Sequence, residues 1–284
     1  MKRRSKKRMG LALGIIGLII CIIVIYFNIP YSPLRGDFKE YLAKSEENTS
    51  ANIKTNKYTF EGLPQSMQKF YNYTGLKNRI NSKHVNFDFK NANFVNVEMK
   101  KTLKIDYSEH IFAYIPARFA FIDSSVMGIP FQGLDSFIDG NGGMKGVIAK
   151  NITLFNQRGK DMDKSTLVTW LAEIIFMPAE MLSADIEIKE LDKDSVSVSI
   201  NYKNLTVSGT YKFKDNGQLV EFVTDDRAMI YNDGRCEYKR WSALFENYQN
   251  KDGLLLPDTL KSKWHMENGD LTYFDGKNLK YNFY

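Results

Sequence analysis

At 284 residues, 43% hydrophobic and 25% charged, the chain has a globular composition and can bury a sizeable core in one main domain. Its formal charge of +6 is supplied by Lys2, Arg3, Arg4, Lys6, Lys7 and Arg8, with no acid before residue 37. The rest of the chain is therefore neutral and lacks the basic footprint that a phosphate backbone demands, so nucleic acid is excluded as a partner.

Met9 to Phe27 is an uncharged apolar run of 19 residues directly after that basic tail, long enough to cross a bilayer. A cleaved signal would have a shorter apolar core ending in small residues, whereas Ile22 to Phe27 are bulky, which favours an uncleaved anchor. Ile20 is likewise too large to precede a lipoprotein cysteine at Cys21. The positive-inside rule puts residues 1–8 in the cytoplasm and the carboxyl-terminal body outside the cell membrane, as a single-pass protein. Cys21 lies in the presumed span, so no disulfide with Cys236 is expected, and Cys236 reads as a small strand residue.

Pro30 and Pro33 stop helical structure, after which Leu34, Phe38, Tyr41 and Leu42 sit at helical spacing for about three turns. Residues 45–57 are polar and read as a linker, so that 28–57 form a juxtamembrane helix and linker and 58–284 the extracytoplasmic domain. Pro64 suits a first helical turn, with Met67, Phe70 and Tyr71 on one side and Gly75 as its C-cap. From His84 the pattern alternates: Val85, Phe87 and Phe89 share a face, as do Val95, Val97, Met99, Leu103 and Ile105. Ile111 to Ile122 is apolar on both faces and contains Pro116, predicting a strand covered on both sides with a bulge or edge at the proline. Asp139 to Gly143 predicts a hairpin turn.

Ser165 to Leu182 is the one long helix signal outside the anchor. Leu167, Trp170, Leu171, Ile174 and Ile175 recur at helical spacing, and Val168, Phe176 and Met177 widen the stripe until only Thr169 and Glu173 leave a narrow polar edge. Ser165 or Asp163 is placed to cap it, and Pro178 to end or kink it. Beyond it, strand runs such as Val196, Val198, Ile200 and Tyr202 alternate between turns at 192–195, 215–217, 232–234, 250–253, 267–270 and 275–278. The expected fold is α+β: a large curved antiparallel sheet, half-barrel-like, packed on one long helix and preceded by a single transmembrane helix.

Chemical motifs are sparse. Asp161, Asp163 and Ser165 open like a calcium loop, but Thr166 and Ala172 stand where Gly and a bidentate Glu are needed. Gly140, Gly142 and Gly146 miss the dinucleotide spacing. His84, His110 and His265 are scattered, no G-x-S-x-G elbow occurs, and neither a metal site nor a cofactor is expected. Glu173 is the most interesting titratable group: burial would raise its pKa, but the expectation is that it lines a wet edge with Thr169. Arg118, Arg227 and Arg240 are expected at the surface or paired with Asp225, Asp226 or Glu237.

In order, LPQSMQKFY (63–71), DGNGGMKG (139–146), LVTWLAEIIFMPAEML (167–182), FKDNGQLVEF (213–222), RWSALFENYQNKDGLLLP (240–257) and Trp264 resemble a bacterial family catalogued only as a domain of unknown function. The resemblance implies no activity and no catalytic residue, and MKKTL at 99–103 departs from the Trp-containing stretch expected there. FENYQNKDGLLLP is also similar to the late strands of periplasmic lipoprotein-sorting carriers, which implies a half-barrel that holds acyl chains. The leading expectation is a membrane-anchored, non-enzymatic protein that binds a lipid or other apolar ligand through some of Trp170, Glu173, Ile174, Phe176, Trp241 and Trp264. The alternatives are an extracytoplasmic enzyme using Glu173 as acid or base, and an envelope protein-interaction module.

Overall fold

The structure, a computed structural model, describes residues 2–284 apart from 55, 97–100 and 232. The expected strand positions Val97 and Met99, the first two residues of MKKTL, and the opening Asn232 of one predicted turn lie outside the described residues.

Helix α1 (Lys2–Asn28) contains the apolar run, and one 18-residue window within it has a mean hydropathy of 2.9 with none of its residues buried. By length and composition it can cross a membrane, a test that a signal sequence also passes. Helix α2 (Pro33–Ala51) follows at once. Pro33 does not stop helical structure but opens it: Ser32 accepts a hydrogen bond from the Arg35 amide at 3.1 Å, and proline occupies the first turn, where its missing N–H costs nothing. The expected linker is corrected as well. Residues 45–51 continue α2 with Ser45 and Thr49 fully buried, and the chain beyond is tied to the body where Lys57 and Tyr58 donate to the Leu182 carbonyl. Helix α3 (Gln65–Thr74) begins after Pro64, buries Met67, Phe70 and Tyr71, and ends on Gly75 at φ 75°, as its sequence predicts.

Six strands then form a meander: β1 (His84–Asn96), β2 (Lys101–Phe112), β3 (Ala117–Val126), β4 (Ile129–Ile138), β5 (Asn141–Ile148) and β6 (Ile152–Gln157). The stretch predicted as one strand at Ile111–Ile122 is two, because Pro116 sits in the turn between β2 and β3. Cover on both sides is nevertheless found. Phe112, Phe119 and Phe121 pack under Leu34 and Phe38 of α2, while Ile111 and Ile122 belong to the main core on the other face. The β4–β5 hairpin turns at Asp139 and Gly140, with φ of 54° and 82°, the paired left-handed geometry that matches strand twist.

Helix α4 (Lys160–Glu173) starts five residues before the predicted Ser165 and is followed by a 3-10 turn (Ile174–Phe176) and the short α5 (Pro178–Met181), so Pro178 breaks the helix as expected. The predicted caps serve other partners: Asp163 accepts from the Gly142 amide and Ser165 from the Ala228 amide. The second meander is β7 (Ile186–Asp192), β8 (Ser195–Tyr202), β9 (Leu205–Phe213), β10 (Leu219–Thr224), β13 (Trp241–Lys251), β14 (Leu254–Trp264) and β15 (Leu271–Lys277). Between β10 and β13 lies a separate hairpin, β11 (Ala228–Ile230) with β12 (Cys236–Tyr238).

The two arms meet where β15 pairs with β1, giving the antiparallel order β6-β5-β4-β3-β2-β1-β15-β14-β13-β10-β9-β8-β7, with β16 (Lys280–Phe283) also paired to β1. Since α4 connects the two outermost strands, β6 and β7, it must run through the concavity between them. Edge-to-edge pairing does not close the sheet; turns do the bridging, as where Lys203 donates to the Asp139 carbonyl at 3.1 Å. Helix and sheet lie close together at Gly142, where a Cβ would lie 2.2 Å from Thr166 Oγ1 and 2.5 Å from the Met162 carbonyl. Trp170, Leu171, Ile174 and Phe176 are fully buried, the last against Phe70, Phe87, Phe245 and Tyr281.

Candidate functional site

Alternation along β1 to β5 places Phe89, Tyr107, Ile122 and Gly133 in one cross-strand row on the inner face, with Glu109, Ala120, Asp135 and Met144 in the next row toward α4. Here the cover is incomplete. Leu103, Tyr107, Phe131, Met144 and Phe274 pack against the main core yet remain only half-buried, so a strip of apolar inner face lies open beside the helix. Gly133 keeps its floor low, since a Cβ there would meet Ile122 at 3.2 Å.

The helical border of this groove is the polar edge of α4, and each of its two residues holds an arginine. Arg118, on β3 and 3% exposed, donates through Nε to Glu173 at 2.9 Å and through Nη1 to Asp135 at 2.7 Å. Its Nη2 reaches the Tyr107 hydroxyl at 2.9 Å and Glu109 at 2.5 Å. Glu173 is therefore not on a wet edge: it is buried with a partner that sequence spacing could not name. Burial pushes the Glu109 carboxyl well above the usual range against the pull of Arg118, with Glu173 and Asp135 adding to the rise. Burial likewise raises Glu173 against the pull of Arg118, and the hydrogen bond between the two carboxyl groups raises Glu109 while it lowers Glu173. One cation among three carboxylates leaves surplus negative charge in a desolvated place, and a bound proton relieves it.

Thr169, four residues earlier on the same face, accepts from Arg227, whose guanidinium lies 4.4 Å from the Trp241 ring and 5.8 Å from Trp264. The two tryptophans are cross-strand partners on β13 and β14, and Trp241 donates to the Tyr273 hydroxyl at 3.0 Å. Thus Glu173 lies on the polar edge of α4 itself, while Trp241 and Trp264, both buried, meet that edge only through Arg227. Trp170, Ile174 and Phe176 lie in the packing behind the groove, with the Trp170 indole donating to the Phe112 carbonyl at 3.0 Å. Arg118 contradicts the expectation of a surface position or a pairing with Asp225, Asp226 or Glu237; Arg227 is half-buried and bonds to Thr169 instead of an acid, whereas Arg240 meets the expectation by pairing with Asp225 at 2.8 Å.

A second depression, about 590 Å³, lies on the outer face of β8, β9, β10, β13 and β14. Its charges are matched in pairs, Lys212 with Glu221, Arg240 with Asp225 and Lys263 with Asp270, leaving little net field for a charged ligand. There Ser242 Oγ stands 2.8 Å from His265 Nε2, and His265 Nδ1 3.0 Å from Asp270, the order of a nucleophile, base and orienting acid. Ser242 is fully buried, however, on a strand paired on both sides, so the neighbouring amides are held in the sheet rather than aimed at an oxyanion. Cys236 is no nucleophile either: burial, aided by Asp161, pushes its thiol up to about 11. Among the described residues no cluster of His, Cys, Asp and Glu has metal-holding geometry.

The fold and the groove define an open, half-barrel-like antiparallel sheet with one helix in its concavity and an apolar inner strip beside that helix. The chain belongs to the family of unknown function DUF6544, which matches residues 54–276. No curated protein matches it. Among solved structures it is similar to a domain described as that of an outer membrane lipoprotein-sorting protein from Vibrio parahaemolyticus, at 12% identity over 79% of this chain and 93% of that one, with a TM-score of 0.41. It is also similar to a LolA superfamily protein from Nitrosomonas europaea (10% identity, 76% and 90% covered, TM-score 0.36) and a DUF1329 family protein from Desulfovibrio piger (9%, 76% and 92%, TM-score 0.39).

Proposed function

We propose that this is a membrane-anchored, extracytoplasmic binding protein that holds an acyl chain or similar apolar ligand in the inner groove, without catalysis. Residues 1–8 form the cytoplasmic tail, 9–27 the span and 58–284 the binding domain, with α2 as a rigid juxtamembrane strut in place of a flexible linker. The observation that supports this reading is that Leu103, Phe131, Met144 and Phe274, on the inner face, pack against the core and yet stay half-buried. Apolar surface of that kind, walled by a few fixed polar groups, suits an elongated apolar ligand better than a charged metabolite. Glu173 lies on the groove's border in this reading, with Trp241 and Trp264 behind Arg227, and Trp170, Ile174 and Phe176 are its packed support.

An enzyme using Glu173 would need that carboxyl free to meet a substrate, yet its Oε2 is held by Arg118 and its side chain is 11% exposed. The test is native mass spectrometry of the full chain extracted from membranes in mild detergent. Lipid should co-purify and be lost from Met144→Gln, an uncharged polar change at a half-buried position, while a urea midpoint near that of the wild type shows that the fold is kept. A chain that is lipid-free in repeated preparations sinks the proposal.

A further inference from the structure

The β5–β6 turn is built unusually. Ala149 and Lys150 both take left-handed backbone angles, φ 51° and 67°, without a glycine. Lys150 is 4% exposed, and its ammonium donates to the carbonyls of Tyr26 at 2.7 Å, Ile29 at 2.7 Å and Tyr31 at 3.1 Å. These are the carbonyl groups left without intrahelical partners at the end of α1 and just beyond it, where a cation is also favoured by the helix dipole. Asn151 adds a hydrogen bond to the Tyr26 hydroxyl at 2.6 Å. The body is thus pinned directly to the exit of the apolar helix.

The strand ends around that pin carry exposed apolar side chains. Met127, at the β3–β4 turn, is 98% exposed and Ile129 40%; on β6, Ile152 is 61% and Leu154 55% exposed. Antiparallel pairing puts both turns at the same end of the sheet: Val126 pairs with Ile129, Ile148 pairs with Ile152, and the Ala149 amide donates to the Pro130 carbonyl. A soluble surface has no use for a methionine at a turn tip beside two bare aliphatic residues, whereas a surface held where a membrane helix emerges does.

We infer that this end of the sheet docks on the bilayer, with Met127, Ile129, Ile152 and Leu154 entering the boundary between headgroups and acyl chains while Lys150 fixes the angle at which α1 leaves. The half-buried Leu103 and Phe131 lie on strands that end in or beside these turns, so docking brings the open part of the groove against lipid. This inference rests on the membrane-anchored reading proposed above. It adds that the domain is seated on the membrane rather than suspended from it.

The test uses the full chain in vesicles of phosphatidylcholine with a minor fraction of phosphatidylglycerol, carrying one environment-sensitive fluorophore per protein. Native Cys21, alone after Cys236→Ser, reports the span; Met127→Cys and Leu154→Cys, in a chain with both native cysteines replaced by serine, report the docking end. Asn141→Cys lies at the opposite end of β4, roughly 30 Å away at strand rise. Labels at 127 and 154 should be quenched several-fold more than at 141 by a nitroxide lipid labelled near the headgroup, and Lys150→Met should reduce that quenching without changing it at Cys21. If Cys21 is lipid-exposed while 127 and 154 are as aqueous as 141, the docking inference is overturned and the anchor stands. An aqueous Cys21 overturns both. Self-quenching at 154 between copies, without lipid quenching, shows that β6 meets a second chain and overturns docking.

Discussion

Replacing Arg118 by alanine removes the cation paired with Glu109, Asp135 and Glu173, which lie 2.5, 2.7 and 2.9 Å from its guanidinium. Breaking a buried ion pair from one side costs about 3–5 kcal/mol, and three carboxylates on one arginine put this case toward the upper end at about pH 8. The pH dependence is the sharper signature. Burial already raises Glu109 and Glu173, so folding takes up protons there; that contribution is fully present below the ordinary carboxylate pKa and is lost as pH rises through the raised folded value. Without Arg118 the charge that opposes the rise is gone, the folded values move higher still, and the loss extends to higher pH. The cost of Arg118→Ala should therefore shrink on acidification, by up to about 1.4 kcal/mol per pH unit for each carboxylate that takes up a proton. Glu109→Gln keeps the shape but removes the titration, so it should flatten the pH dependence and cost little at about pH 8. Urea unfolding of the detergent-solubilised full chain, followed by the fluorescence of Trp170, Trp241 and Trp264, none more than 5% exposed, measures all of this. The reasoning is refuted if Arg118→Ala costs under about 1 kcal/mol at both ends of the pH range, or if Glu109→Gln costs as much as Arg118→Ala.

Two further predictions follow from close contacts. Gly142→Ala should lower stability by at least about 1–3 kcal/mol, because its Cβ would press into Thr166 and the α4 backbone rather than into a flexible tip; a urea midpoint unchanged from wild type would show that helix and sheet do not approach there. His84 and His110, beneath α2, are held down to about 4, mainly by burial; His84 also feels His110, while Asp88 opposes the shift at His110 and Glu46 lies 4.0 Å from His84. Their folded values lie below the unfolded ones, so stability from these groups falls as pH drops from about 6.5 toward 4, by at most about 3.5 kcal/mol each. His110→Phe should lose measurably less stability than wild type over that window, and an equal loss would exclude His110 as a contributor.

Much of the fold was legible because its signals are local. Alternation marked β1, β8, β9 and β16; Asp139–Gly140 and Gly75 marked their turns by the backbone angles they permit; and the breadth of the apolar stripe from Leu167 to Phe176 required cover on all sides. Errors came where one signal served two outcomes. Pro116 and Pro33 were legible as interruptions, but whether a proline makes a turn, an edge or a helix start depends on the atoms around it. Residues 45–51 were too polar to announce a helix, yet α2 extends through them with Ser45 and Thr49 against the sheet.

For the site, the sequence determined the edge and the tertiary structure its meaning. Thr169 and Glu173 were identifiable as the polar positions of an apolar helix from a spacing of four. Which cations meet them was not, because Arg118 and Arg227 lie 55 and 58 residues away in the chain and reach the helix from β3 and from the connection between β10 and β11. The same holds for Lys150, an ordinary lysine until the fold lays its turn against the end of α1, 121 residues from Ile29. Periodicity and turn chemistry act over a few residues and can be read from order alone. Charge pairing, burial and the sharing of a proton depend on distance in space, which only the closure of two meanders around α4 sets.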